Sequence, residues 1–323
     1  MRILVAVLFV AACALPLHAH AQGDYPNRPI RMLVGYSAGG AVDATARAIA
    51  ERLGPALGTT VVVENRAGAT GNIAADAAAR AAPDGYTLFM STSITTVSLS
   101  LVKNLGYHPL NSFAPISRAI YATNVLVSHP SVPAKNVKEL VAHAKANPGK
   151  VTYATTGAGS SPHMAAELLS MLAGIKMVHV PYKGGAPAMT DLLGGHVDIS
   201  FSNPTSVMPH IATGKIRGFA TTSEKRFSGL PGLPTMIEEG YPNFNLSAWY
   251  GVVAPAGTPP AIVQRLNTEI VKILKNPEVQ ALLLKQGLEA TPSTPAEMAA
   301  EIKADIEMYA KLLKAAGIEA QAQ

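Results

Sequence analysis

The chain has 323 residues, 48% of them hydrophobic and 15% charged, with a formal net charge of +5. A single cysteine excludes a disulfide framework. The thinly spread positive excess, with no Lys/Arg cluster, excludes the electrostatic footprint of a nucleic-acid binder.

Arg2, an apolar run over residues 3–17 and His18-Ala-His-Ala21 read as a secretory signal, with cleavage expected near Ala21 and delivery to the periplasm. The run is shorter than the ~20 residues of a membrane span. Val10-Ala-Ala-Cys13 offers a lipoprotein cleavage box as the competing reading. Cleavage removes Arg2 and no acid, which lowers the formal charge from +5 to +4, and it leaves no cysteine.

In chain order, a strand over 30–34 enters a Gly-rich turn, and a helix over 41–57 ends near Gly58. A strand over 60–64, a helix over 72–81 and a strand over 86–90 follow. The middle third alternates in the same way: helix 136–146, strand 151–154, helix 162–173, strand 177–180, helix 186–193, strand 197–201, helix 205–213 and strand 217–221. Ile262, Leu266, Ile270, Ile273 and Leu274 fall on one helical face. A last helix runs from Pro295 or Ala296 to about 316. This alternation predicts an α/β fold of two lobes, each a mostly parallel sheet flanked by helices. The first lobe takes residues 22–122 and 246–323, and the second takes 123–245. Extended stretches at 116–128 and 246–254 read as the crossings, with Trp249 as core or hinge packing. One domain with a long sheet is the alternative.

The turn Gly35-Tyr-Ser-Ala-Gly-Gly40 points backbone N–H groups at one spot, at the positive end of a helix. Thr155-Thr-Gly-Ala-Gly-Ser-Ser-Pro-His163 repeats the device. There Ser161 reads as the N-cap and Pro162 as the first helical residue, leaving the N–H groups of His163 and Met164 exposed. Two such sites without catalytic machinery point to a clamp for a small carboxylate. One ligand end meets Tyr36, Ser37, Ala38, Gly39 and Gly40. The other meets Thr156, Gly157, Ser160, Ser161, His163 and Tyr182. Lys183 adds charge, Asn203 a donor and an acceptor, and Thr92 and Ser93 a polar strand end. Asp43 either completes the helix start or accepts a hydrogen bond from a ligand donor.

Gly35-Tyr-Ser-Ala-Gly39 also matches the G-x-S-x-G nucleophile elbow, so an exported serine esterase using Ser37 is the competing class. Sheet normally precedes that elbow, whereas this is the first strand. Gly39-Gly40 lacks dinucleotide-binding spacing. No His, Cys or acid cluster has metal-ligand spacing, so neither cofactor nor metal is expected.

The chain resembles the tripartite tricarboxylate transporter substrate-binding proteins, the Bug family. The resemblance runs through Tyr25-Pro-x-Arg-Pro-Ile30, Ala38-Gly-Gly-x-x-Asp43, Val63-Glu-Asn-Arg-x-Gly-Ala69 and Pro83-Asp-Gly-Tyr-Thr-Leu88. It continues with Val180-Pro-Tyr-Lys-Gly184, Pro234-Thr-Met-Ile-Glu238, Trp249-Tyr-Gly251 and Ala254-Pro-Ala-Gly-Thr-Pro259. It implies a non-enzymatic, monomeric periplasmic receptor of the type II binding-protein fold. The implied ligand is a di- or tricarboxylate, an acidic amino acid or a carboxylated aromatic. The implied partner is a membrane transporter or, alternatively, a sensor ectodomain. Tyr36 stands where many members carry Phe or Pro.

Overall fold

The computed structural model describes residues 25–157, 160–182, 184–242, 244, 248–315 and 320–322. The expected signal segment and Lys183 lie outside them.

Strand β1 (Ile30–Val34) is almost wholly buried, as a central strand flanked by parallel neighbours must be. Helix α1 (Ala41–Leu57) buries Val42, Ala46, Ile49, Leu53 and Leu57, a stripe at helical spacing. It ends at Gly58, whose φ of 72° is left-handed and whose N–H returns to the last turn. Then come β2 (Val61–Asn65), α2 (Asn72–Ala79), β3 (Thr87–Thr92), α3 (Ser93–Leu101), the short β4 (Val102–Lys103) and β5 (Phe113–Ala122).

The middle of the chain holds β6 (Val125–Ser128), α4 (Val137–Ala146), β7 (Thr152–Thr155), α5 (Ser161–Ala173) and β8 (Val178–Pro181). It continues with α6 (Gly185–Leu193), β9 (Ile199–Ser202), α7 (Pro204–Ala212) and β10 (Arg217–Thr221). The last part holds β11 (Ala248–Pro255), α8 (Pro260–Leu274), α9 (Pro277–Leu284), β12 (Leu288–Ala290), α10 (Pro295–Ala315) and β13 (Gln321–Ala322).

Six strands form one sheet in the order β12-β5-β11-β3-β1-β2, and five form another in the order β10-β6-β9-β7-β8. Strand β13 pairs with β4. Both main sheets are mixed. In the first, β1, β2 and β3 are parallel, while β11 is antiparallel to β3 and β5. In the second, β7, β8 and β9 are parallel, and β6 runs against β9 and β10. The parallel trio in each sheet aligns its carboxyl ends, where ligands of open α/β sheets gather.

The chain leaves β5 in one sheet and enters β6 in the other across Thr123 and Asn124. The returning chain lies beside this crossing. Asn124 N–H donates to Thr222 Oγ1 at 2.9 Å, and Thr222 N–H donates to the Asn124 carbonyl at 2.9 Å. Helix α10 spans both units. Its Met298 and Ile302 join the core under Trp249, while Tyr309, Leu312 and Leu313 join the core of the second sheet.

Several elements differ from the sequence expectation, the short strands β4, β12 and β13 among them. Ser93–Leu101 is helical, although its β-branched and serine-rich run carries no helical stripe. Tertiary packing of Val97 and a capping box between Thr92 and Thr95 hold it. The stretch 116–128 divides into two strands in different sheets. Strand β11 does not cross between sheets but lies inside the first, with Tyr250 opposite Thr92.

Candidate ligand-binding site

At the end of β1 the chain turns through Gly35 and Tyr36 into α1. A Cβ on Gly35 would lie 2.5 Å from Gly71 Cα, so the loop after β2 presses directly on this turn. That loop holds Ala69 and Thr70 at φ 45° and 56°, a conformation non-glycine residues adopt only when their surroundings impose it. Tyr36 bridges the strand ends. Its hydroxyl donates to the Thr70 carbonyl at 3.3 Å and lies 3.3 Å from Thr92 Oγ1. Burial raises the Tyr36 phenol above its ordinary range.

Helix α1 begins at Gly40 with no side-chain cap. Asp43 braces the turn from within. Its Oδ2 accepts from Gly39 N–H at 2.8 Å and from Arg47 Nε at 2.9 Å, and its Oδ1 accepts from Asn65 Nδ2 at 2.8 Å. Burial opposes the charge, but these donors outweigh it and hold the carboxyl at about 2. The Gly39 N–H is thereby occupied. Ser37, Ala38, Gly39 and Gly40 are exposed.

Ser37 lacks the elbow geometry. It is not among the residues with positive φ, and α1 starts four positions later at Ala41. Several imidazoles turn elsewhere: His108 accepts from the Leu110 and Asn111 N–H groups, and His129 lies against Ser131, His143 against Asn147 and His179 against Thr155. Among the described residues no cluster of three His, Cys, Asp or Glu is placed to hold a metal.

In the second sheet, β7 leads into Thr156 and Gly157 and then α5. The N-cap is Ser160 rather than Ser161, which corrects the sequence reading. Ser160 Oγ accepts from His163 N–H at 3.4 Å, and the Ser160 carbonyl accepts from Met164 N–H at 2.9 Å. Ser161 is displaced from capping because its oxygen accepts from Asn124 Nδ2 at 2.7 Å. The N–H groups of His163 and Met164 are therefore taken up inside the helix start.

The His163 side chain is buried in a stack. Its ring lies 4.0 Å from His179, which lies 5.1 Å from Tyr153. Burial, with His179 adding, pulls the His163 imidazole down to about 4. His179 Nε2 lies 2.6 Å from Thr155 Oγ1, and that oxygen accepts from Gly157 N–H at 3.2 Å. The stack thus supports the Gly157 turn from below.

Helix α6 begins at Gly184, again without a side-chain cap. The Tyr182 hydroxyl is committed to Asp191 Oδ2 at 2.6 Å, and burial with this carboxylate pushes it up to about 12. Asn203 caps α7, its Oδ1 accepting from Thr205 N–H at 3.0 Å. Its amide nitrogen has no partner among the described residues. Thr92 is buried in the hydroxyl group with Tyr36 and Thr95, and Ser93 is buried against Tyr309.

A cavity of about 630 Å3 opens at the carboxyl ends of β7 and β9. Thr156 and Asn203 line it, as do Asn124, Pro162 at the start of α5 and Gly185 at the start of α6. The 36–40 turn does not line it; that turn gathers with Thr70 and Thr92 on the first sheet. Sequence reasoning missed Asn65, Thr70 and Asn124. Asn65 lies in a motif already singled out, but nothing local marks Asn124, which matters only because the crossing sets it beside α5.

The family profile described as "Tripartite tricarboxylate transporter family receptor" matches residues 45–318. The chain is 38% identical to protein BugT of Bordetella pertussis (strain Tohama I), over 96% of this chain and 95% of BugT. The solved periplasmic binding protein BugD shares 39% identity and superposes with a TM-score of 0.71, covering 92% of this chain and all of BugD. Rpa4515 of R. palustris, solved with adipate, gives 34% identity and a TM-score of 0.74, over 92% of this chain and 100% of that one. MatC of Rhodopseudomonas palustris, solved with bound malate, gives 28% and 0.70, over 90% and 100%. With a profile match over most of its length and relatives aligned nearly end to end, this chain belongs to the tripartite tricarboxylate transporter receptor family.

Proposed function

We propose that this protein is an exported, non-catalytic receptor that captures a small carboxylate between two lobes and delivers it to a tripartite tricarboxylate-type membrane transporter. The observation that carries the reading is a repeated device. Each sheet ends its parallel trio at a glycine turn opening a helix that no side chain caps, at Gly40 and at Gly184. Backbone N–H groups at such a start are unsatisfied by the helix itself and favour an anion. The relatives solved with adipate and with malate support a carboxylate as that anion. The BugD likeness supports a periplasmic location; the N-terminal residues read as a signal cleaved near Ala21, and no described helix is long and apolar enough to cross a membrane.

In this reading the lobes divide near residues 123 and 245 and close about the Asn124–Thr222 pairing. Tyr36 and Ser37 grip from one side, with Thr92 positioning Tyr36 from beneath, and Thr156, Ser161 and Asn203 grip from the other. Charge-assisted hydrogen bonds contribute about 1.5–3 kcal/mol each, so a few of them with closure reach roughly micromolar affinity. A thermal-shift screen of mono-, di- and tricarboxylates and acidic amino acids tests it. At least one acid is expected to raise the melting temperature in a concentration-dependent way. A flat response to all of them contradicts the proposal.

A further inference from the structure

The cavity beside Thr156 and Asn203 does not stop at the strand ends. It runs on between α6 and α7, with Met189, Leu193 and Phe201 on its walls and Ser200 at its floor. Met189 and Leu193 pack against the apolar layer that these helices form with the sheet. The floor makes no polar demand. The Ser200 hydroxyl donates to the Ala154 carbonyl at 3.1 Å and lies 2.9 Å from Ser202 Oγ.

Among the described lining residues none carries a permanent charge, and His210 is the single titratable group. A second carboxylate placed against Met189, Leu193 and Phe201 would shed its water onto apolar side chains. A hydrocarbon body would instead be favoured by every apolar surface it covers. At about 630 Å3 the cavity also falls in the range of roughly 300–1,000 Å3 that accommodates a drug-sized molecule, more room than a four-carbon diacid fills.

We propose that the ligand of this receptor is a monocarboxylate with a bulky apolar body, such as an aryl-substituted acid. Its carboxylate sits at the strand ends near Thr156 and Asn203, and its body fills the α6–α7 groove against Met189 and Leu193. This selectivity rests on the receptor reading above and narrows it.

Titration calorimetry on the mature protein with 4-phenylbutyrate, malate and adipate tests the proposal. The aryl acid is expected to bind at least about tenfold more tightly than either diacid. Met189→Glu should weaken 4-phenylbutyrate by about tenfold or more and leave any diacid binding within about twofold, while Met189→Leu keeps the wild-type order. Tighter binding of malate or adipate by the wild type overturns the proposal and leaves the receptor reading intact, whether or not Met189→Glu folds. A folded Met189→Glu that binds 4-phenylbutyrate as the wild type does also overturns it. No response to any carboxylate, here or in the wider screen, overturns the receptor reading and the proposal together.

Discussion

Asp43 carries the tightest set of bonds at the start of α1, and all of them are internal. Three donors, from Gly39, Arg47 and Asn65, converge on its two oxygens. Asp43→Asn should therefore cost about 1–3 kcal/mol of unfolding free energy, read by urea denaturation. An affinity loss at unchanged stability would instead make it a ligand contact. Of the two roles the sequence left open, the geometry favours bracing, which sequence could not decide because Asn65 lies 22 positions away.

Two other groups set opposite pH dependences. His163 is held at about 4 against an unfolded value of 6.5, so the unfolded chain binds more protons between those values and stability falls as pH drops through that window. Asp305, against Trp249 Nε1 at 2.7 Å, is pushed up by burial to about 7 from 3.8. The folded chain then binds more protons in its window, and stability falls as pH rises from about 4 to 7. The two slopes oppose each other in the wild type. Asp305→Asn keeps an acceptor for Trp249 and removes one slope. It should add roughly 1–3 kcal/mol at pH 8, and the variant should gain stability between pH 4 and 6.5. An unchanged pH profile in chemical denaturation would count against this.

At the scale of elements, most of the fold was legible wherever the apolar period was clean. Strand β1, helix α1 and strand β10 fall where their residues place them, because each carries an unbroken pattern between turn signals. Helix α3 was not legible, since its stability comes from Val97 and its neighbours in a distant core. Strand β11 was legible as extended chain but its antiparallel place inside the first sheet was not, and β12 was missed, because strand direction and pairing are settled at long range and not by local pattern. The seam between the β1 turn and the 68–71 loop is likewise invisible in sequence. Gly35→Ala should strain that seam and cost about 1–3 kcal/mol in thermal or chemical denaturation. A fully tolerated alanine would mean that the two loops are not locked together.

At the scale of the molecule, one edge between the two sheets is stitched by hydrogen bonds. Asn124 and Thr222 tie the crossing, while α3 and α10 lend side chains to the second core. In the proposed receptor, closure would turn about this edge, which suits hinge motion around a few residues. The glycine turns were legible because Gly-rich runs between strand and helix mark themselves. Their placement relative to one another was not, since it depends on the long-range pairing of Asn124 with Thr222.

Hydrogen exchange followed by mass spectrometry, with and without the tightest-binding carboxylate, tests the grip most directly because it reads both turns in one experiment. Slowed exchange is expected in both the 36–43 and 184–190 segments when ligand is present. Protection confined to one of them, or spread over surfaces remote from both, would contradict it.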